Sequence, residues 1–265
     1  MRIAVAMFAI LLASYSAYAA EPSVLARARA LYNAADYDGA IDAAAMARLQ
    51  TATADAAALV EARARLQRYR RDMDAADLSA ARDALNDLHV NILSPRDQLD
   101  FLVGLGQLLY VTDVFGAAAE LFDTALARDT PLAPRDRTML LEWWAQSLER
   151  EAQAAMPARR MSLAEKIGAR MKDELQRDPG SAAANYWLIV AERGAGDLEA
   201  AWDAAVAAWV RARLGPSTLE LRSEIDVLVT DVLIGDLARS RLAREQVDAT
   251  EALRAQWELV KQQWK

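Results

Sequence analysis

Two stretches of the chain follow one template. Residues 100–129 read DFLVGLGQLLYVTDVFGAAAELFDTALARD, and residues 185–213 read NYWLIVAERGAGDLEAAWDAAVAAWVRAR. Each begins with a helical pattern carrying a small residue near its centre. A short turn follows, and then a second helix steps alanine, large apolar, alanine. Small residues at that spacing let two helices approach closely and leave an apolar face that only a neighbouring pair can cover. The pattern therefore predicts stacked helix pairs, a repeat scaffold rather than a closed globule around one catalytic cleft.

The rest of the chain agrees in composition. Alanine, leucine, arginine and glutamate dominate, all good helix formers, and no segment sustains the alternation of a strand. Helix starts are legible. Ser94-Pro95 supplies a cap and a first-turn proline, with Asp97 next to them. Ala133-Pro134 and Met156-Pro157 mark two more starts. Asp178-Pro179-Gly180 ends a helix and Ser181 caps the next. Ser217 and Glu220 have the spacing of a capping box. These breaks predict helix pairs at 23–51, 55–93, 96–129, 134–177 and 181–213, with capping helices at 217–264. The turn alanines Ala40, Ala81, Ala118 and Ala201 step by 41, 37 and 83 residues, so the period is near 40. The expected fold is all-α: a superhelix of about five to six antiparallel helix pairs. Its last helix carries Leu253, Trp257, Val260 and Trp264 on one face and Glu251, Arg254, Glu258 and Lys261 on the other. This is the apolar-in, charged-out pattern of a terminal cap.

The pattern resembles the tetratricopeptide repeat. The best match is Leu102, Leu105, Gly106, Leu109, Phe115, Ala118, Phe122 and Ala125, with Pro131 one residue late. A second is Leu188, Ala191, Gly196, Asp197, Leu198, Ala201, Ala205 and Ala208, where Ile189 replaces the small residue. The first pair offers Ala28, Leu31, Tyr37, Ala40, Ala44 and Ala47, with Asp36 in the turn. The pairs near 55–93 and 134–177 match poorly. The resemblance implies that the first helix of each pair lines a concave face. By position that face would hold Arg29, Tyr32 and Asn33, then Asp100, Val103, Gln107 and Tyr110, then Tyr186, Val190 and Arg193. The lysine and asparagine clamp by which some members grip a C-terminal carboxylate is absent, because Asp100, Val103, Gly104 and Gln107 stand at those positions.

Other features set expectations of place and partner. Residues 1–19 have a positive start, the apolar run Ile3 to Ala13 and the Ala17-Tyr18-Ala19 pattern of a signal peptidase site. They read as a cleavable signal peptide, leaving residues 20–265 as one periplasmic or secreted body. There is no cysteine, so disulfides, thiolate metal sites and a lipid-modified cysteine are excluded, and the chain is not expected to be a lipoprotein. A net charge of −7 argues against nucleic acid. Only four of 31 basic residues are lysine, the composition of a GC-rich bacterial coding sequence.

Catalytic and metal chemistry is not expected. His89 is the only histidine and reads as a partly buried residue at a helix end. No phosphate loop, dinucleotide fingerprint or calcium loop occurs. The cluster Arg63, Arg65, Arg68, Arg70 and Arg71, followed by Asp72, Asp74 and Asp77, spreads over more than one helix face and reads as a salt-bridged surface. Trp202 pairs with Trp209, and Trp257 with Trp264, at seven-residue spacing. Trp143 and Trp144 must point different ways, one packed and the other partly exposed. The sequence thus points to an exported scaffold that binds a protein or peptide in a concave groove, with no cofactor and no catalysis. A periplasmic accessory component for solute uptake, with a small-ligand pocket, is the alternative.

Overall fold

A computed structural model describes residues 23–128, 131–245 and 248–265. The signal-peptide expectation falls on residues outside this range. Among the described residues there is no strand, and the helices pack in consecutive pairs to form an all-α solenoid. The first pair is α1 (Val24–Asn33) with α2 (Tyr37–Arg48), and the second is α3 (Ala54–Asp72) with α4 (Ala75–Asn86). Then come α5 (Pro95–Val111) with α6 (Phe115–Leu126), α7 (Pro134–Ala154) with α8 (Pro157–Arg177), and α9 (Ala182–Gly194) with α10 (Leu198–Arg211). A long helix follows. Its halves α11 (Thr218–Leu228) and α12 (Ile234–Glu245) are joined by a π turn at Val229–Leu233, and α13 (Thr250–Gln263) packs on α12.

Each second helix also packs on the first helix of the next pair, as α2 does on α3, α6 on α7 and α8 on α9. The odd-numbered helices meet in an unbroken series from α1 to α11, each touching the next. The chain therefore stacks rather than folding back on itself.

One turn occurs three times. After α1, α5 and α9 the chain passes through Ala35, Asp113 and Gly196 at φ 61°, 61° and 86°. The N–H of each donates to the carbonyl of Tyr32, Tyr110 or Arg193, at 3.0, 3.1 and 3.0 Å. The next N–H, from Asp36, Val114 or Asp197, reaches back to Leu31, Leu109 or Glu192, at 3.0, 2.9 and 3.0 Å. These are the two bonds of a Schellman ending, which requires a left-handed residue. Only one of the three is glycine. Asp36 and Asp197 then cap the following helix, accepting from the N–H of Gly39 and Ala200.

The seam between α5 and α6 depends on Gly106. A Cβ placed there would stand 2.7 Å from the ring of Phe122, which is fully buried. The helices are close because one side has no side chain and the other fills the space. Ser94 and Ser181 cap α5 and α9 as their sequence positions suggest. The Ser217–Glu220 box does not form: Ser217 makes no capping bond, and the neighbouring Thr218 hydroxyl donates to the Ala212 carbonyl instead, at 2.9 Å.

The π turn has a cause in the sequence. Leu221, Ile225, Val229, Leu233 and Leu237 are all buried, at steps of four. A regular helix of 3.6 residues per turn would rotate such a stripe by about 160° along that length. The wider turn absorbs an extra residue and brings the stripe back towards α10. Cap helix α13 buries Leu253 and Trp257, and the Trp257 ring lies 6.0 Å from Trp202 and 5.5 Å from Trp209. Lys261 is not simply outward. It reaches Asp226 of α11 at 2.9 Å, beside the Trp257 indole N–H, which donates to the same carboxylate at 2.7 Å.

Candidate functional site

The odd-numbered helices line a concavity on one side of the stack. Its first part, of 730 Å³, is bounded by α1, α3, α5, α7 and the segment before α7. Its second part, of 640 Å³, is bounded by α7, α9, α11 and the π turn. Glu142 and Gln146 of α7 border both.

Six of the ten residues expected on the concave face lie in these two parts. Arg29, Tyr32, Asn33 and Asp100 come together in the first, with Val103, and Tyr186 lines the second. The other four, Gln107, Tyr110, Val190 and Arg193, do not line it. Gln107 is fully buried, and neither its amide nitrogen nor its amide oxygen has a hydrogen-bond partner among the described residues. Tyr110 is held edge-on between Phe115 and Trp143, at 5.3 and 4.9 Å between ring centres. Arg193 turns to the C-terminal layer and binds Asp236 at 2.6 Å. Positions equivalent relative to the shared turn differ in exposure: Arg29 and Tyr32 line the groove, while the matching Gln107 and Tyr110 are covered.

The residues missed by the template sit on α3 and α7. Arg63, Gln67 and Arg70 face the first part of the groove, at the i, i+4, i+7 spacing of one helix face. Their neighbours Arg65 and Arg68 point the other way. Both bind the buried Asp77, Arg68 through two bonds at 2.6 and 2.5 Å. The arginine run is thus salt-bridged as expected on one face, while its other face supplies the groove. From α7 come Arg135, Asp136, Glu142 and Trp143.

Ion pairs tie the first helices together across the groove floor. Arg29 of α1 binds Asp97 of α5 at 2.6 Å. Arg63 of α3 binds Asp100 of α5 at 3.0 Å. Arg96 of α5 binds Asp136 of α7 at 2.7 Å. Arg63 is 8% exposed and its guanidinium lies 4.7 Å from the Tyr32 ring centre. Gly104 makes room for its stem, because a Cβ there would come within 3.3 Å of Arg63 and of Leu85. Burial works against the Arg63 charge, yet Tyr32 and Asp100 more than offset it and hold its pKa above the ordinary arginine value. The Nε of Arg63 has no hydrogen-bond partner among the described residues. Arg70 lies over the Trp143 ring at 4.4 Å, a cation–π contact.

The second part differs in charge. Among the described residues, Glu142 and Glu224 are the only acidic or basic side chains lining it, set among Tyr186, Trp187, Val227, Leu228 and Val232. Glu142 reaches water but stands inside the concavity. That enclosure, and then the Glu224 carboxylate, raise its pKa. Enclosure also raises Glu224, with Glu220 adding to it. Tyr186 is raised by burial and by Glu224 and Glu149.

Two other features lie elsewhere. His89 is exposed, not partly buried, on the turn after α4, with its Nδ1 3.5 Å from Asp55. Trp143 and Trp144 point different ways but are both buried, and Trp144 packs under the Arg170 guanidinium at 5.0 Å. Among the described residues no cluster of His, Cys, Asp or Glu is arranged to hold a metal ion, and no helix is long and apolar enough to cross a membrane. Comparison with family models, curated proteins and solved structures finds no match to this chain.

Proposed function

We propose that the protein is an exported, tetratricopeptide-like scaffold that holds a segment of another protein in the concave groove, without catalysing a reaction on it. The observation that carries this reading is the groove itself: one helix from each successive pair contributes to it, so it is long and open along the stack. Repeat arrays present extended surfaces of this kind to chains rather than to compact molecules. The aromatic and arginine side chains along it are the types enriched where protein binding energy concentrates. Export rests on the leader-like residues 1–19.

The test is position-specific photocrosslinking. A photoreactive phenylalanine analogue at Tyr32 or Tyr186 should capture a defined partner in the bacterial envelope. The same group at Met46, exposed on α2, should not. Capture from Met46 alone would place the binding face on the other side of the stack and end this reading.

One observation favours a second reading, solute handling. The 730 Å³ volume of the first part lies within the range of about 300–1,000 Å³ typical of small-molecule sites. Such sites are mostly apolar, whereas this one carries five arginines and three carboxylates. Native mass spectrometry with small dicarboxylic acids separates the two: a retained acid supports solute handling, and a bare protein supports the scaffold.

A further inference from the structure

The groove is electrically divided, and the division follows from which charges are already matched. Along the first part, Asp100 and Asp136 are each bonded to an arginine, and Arg29 is bonded to Asp97 of α5. Arg135 has no carboxylate partner among the described residues, and Arg70 has only the Gln67 amide at 2.9 Å and the Trp143 face. Arg63 is already matched by Asp100, so the surplus rests on Arg70 and Arg135. Cationic capacity is therefore left over here. In the second part the surplus has the opposite sign. Glu142 and Glu224 have no cationic partner among the described residues, and no lysine or arginine among them lines this second part. Their setting is apolar and aromatic, which suits the hydrocarbon stem of a long basic side chain as well as its charge.

We propose, resting on the scaffold reading above, that the groove is a dipolar peptide site. It takes an extended peptide whose acidic stretch lies along Arg70 and Arg135. The lysine or arginine of the same peptide lies between Glu142 and Glu224, against Tyr186. Helix α7 sets the spacing. Arg135 and Glu142 are seven residues apart, about 10 Å along the axis at 1.5 Å per residue. An extended chain covers that distance in about three residues. Opposite charges at the two ends also fix direction, since a reversed peptide sets like charges against each other.

The test uses fluorescence anisotropy with the full chain and three labelled ten-residue peptides of one composition. The first has three glutamates, a three-residue spacer, then leucine and lysines. The second has the reverse order. The third alternates the charges. One of the two segregated peptides should bind about tenfold tighter than the alternating one at low salt, and the gap should close as salt screens the charges. Arg70→Glu with Arg135→Glu should abolish that preference. A peptide with lysines in place of its glutamates should regain binding to the same variant, which shows that the variant is folded. Glu142→Gln with Glu224→Gln should weaken the dipolar peptide and leave an all-acidic one unchanged. Equal binding of segregated and alternating peptides would overturn the dipole while leaving the scaffold reading intact. No binding of any of the three would overturn both.

Discussion

The pairs α1–α2, α5–α6 and α9–α10 share one turn and one alanine-rich seam. The pairs α3–α4 and α7–α8 lack that turn. Met73 closes the α3–α4 connection at φ 58° with one bond to the Tyr69 carbonyl, and α7 passes to α8 through an extended Ala155-Met156 and a first-turn proline. Yet α3 and α7 supply most of the charged side chains in the first part of the groove. The regular pairs fix the spacing of the stack, and the irregular pairs are free to carry the chemistry. The two kinds also cohere differently. The α5–α6 seam is apolar and tight, whereas α7–α8 is joined by Arg137 and Glu174 through two bonds of 2.7 and 2.6 Å.

Six substitutions sharpen or break this contrast, each read by urea unfolding followed by circular dichroism. The largest effect is expected in the regular seam. Phe122→Ala should cost about 3–5 kcal/mol, the usual loss for a buried phenylalanine. A loss under about 1 kcal/mol would show that the seam is not what holds the stack.

In the irregular pair, Glu174→Gln should cost about 2–3 kcal/mol. That is less than for a fully enclosed pair, because the Arg137 side chain is 27% exposed and can be hydrated. Its pH dependence has a definite sign. Arg137 holds the Glu174 pKa below the ordinary glutamate value of 4.5. The pair's contribution is thus complete above that value and disappears as pH falls through the lower folded value. The difference between wild type and Glu174→Gln should shrink on acidification and stay constant from neutrality upward.

Glycine gives a third contrast with opposite signs. Gly106→Ala should destabilise by about 1–3 kcal/mol by forcing Phe122 aside. Gly168→Ala in α8, where a Cβ meets only ordinary contacts at 3.6 Å or more, should stabilise by about 0.5–1 kcal/mol. The smallest effect is in the shared turn. Asp113→Gly relieves a left-handed residue and should stabilise by about 0.5–1 kcal/mol. Gly196→Ala at the equivalent place should do the reverse.

The same contrast explains what could be read from sequence. The three regular pairs were legible because their spacing is dictated by contact. Gly106, Ala118 and Phe122 have one packing solution, and Asp36, Ser94, Ser181 and Asp197 are bonded locally. The groove was only half legible. Arg29, Tyr32, Asn33, Asp100 and Tyr186 follow from repeat position, but Gln107, Tyr110 and Arg193 do not, because the offset between pairs is a property of the whole stack. Arg63, Gln67 and Arg70 carried a readable signal in their spacing. The interleaved Arg65 and Arg68 masked it, and only the buried Asp77 shows which arginines are structural. Ser217 failed as a cap because its backbone, at φ −102° and ψ 41°, stands outside the extended conformation of a cap residue.

Three indoles at the C-terminal end, Trp202, Trp209 and Trp257, lie within 6.0 Å of one another through Trp257, at interplanar angles of 67° and 75°. Chromophores so close and so inclined share their excited states and give a strong near-ultraviolet dichroic signal. Trp143, in the groove, stands apart from that cluster beneath a guanidinium that can modulate its emission. The protein thus carries two optical gauges without a label. The dichroic band should follow docking of α13, and the emission of Trp143, once the other tryptophans are replaced, should report whether a ligand enters the groove.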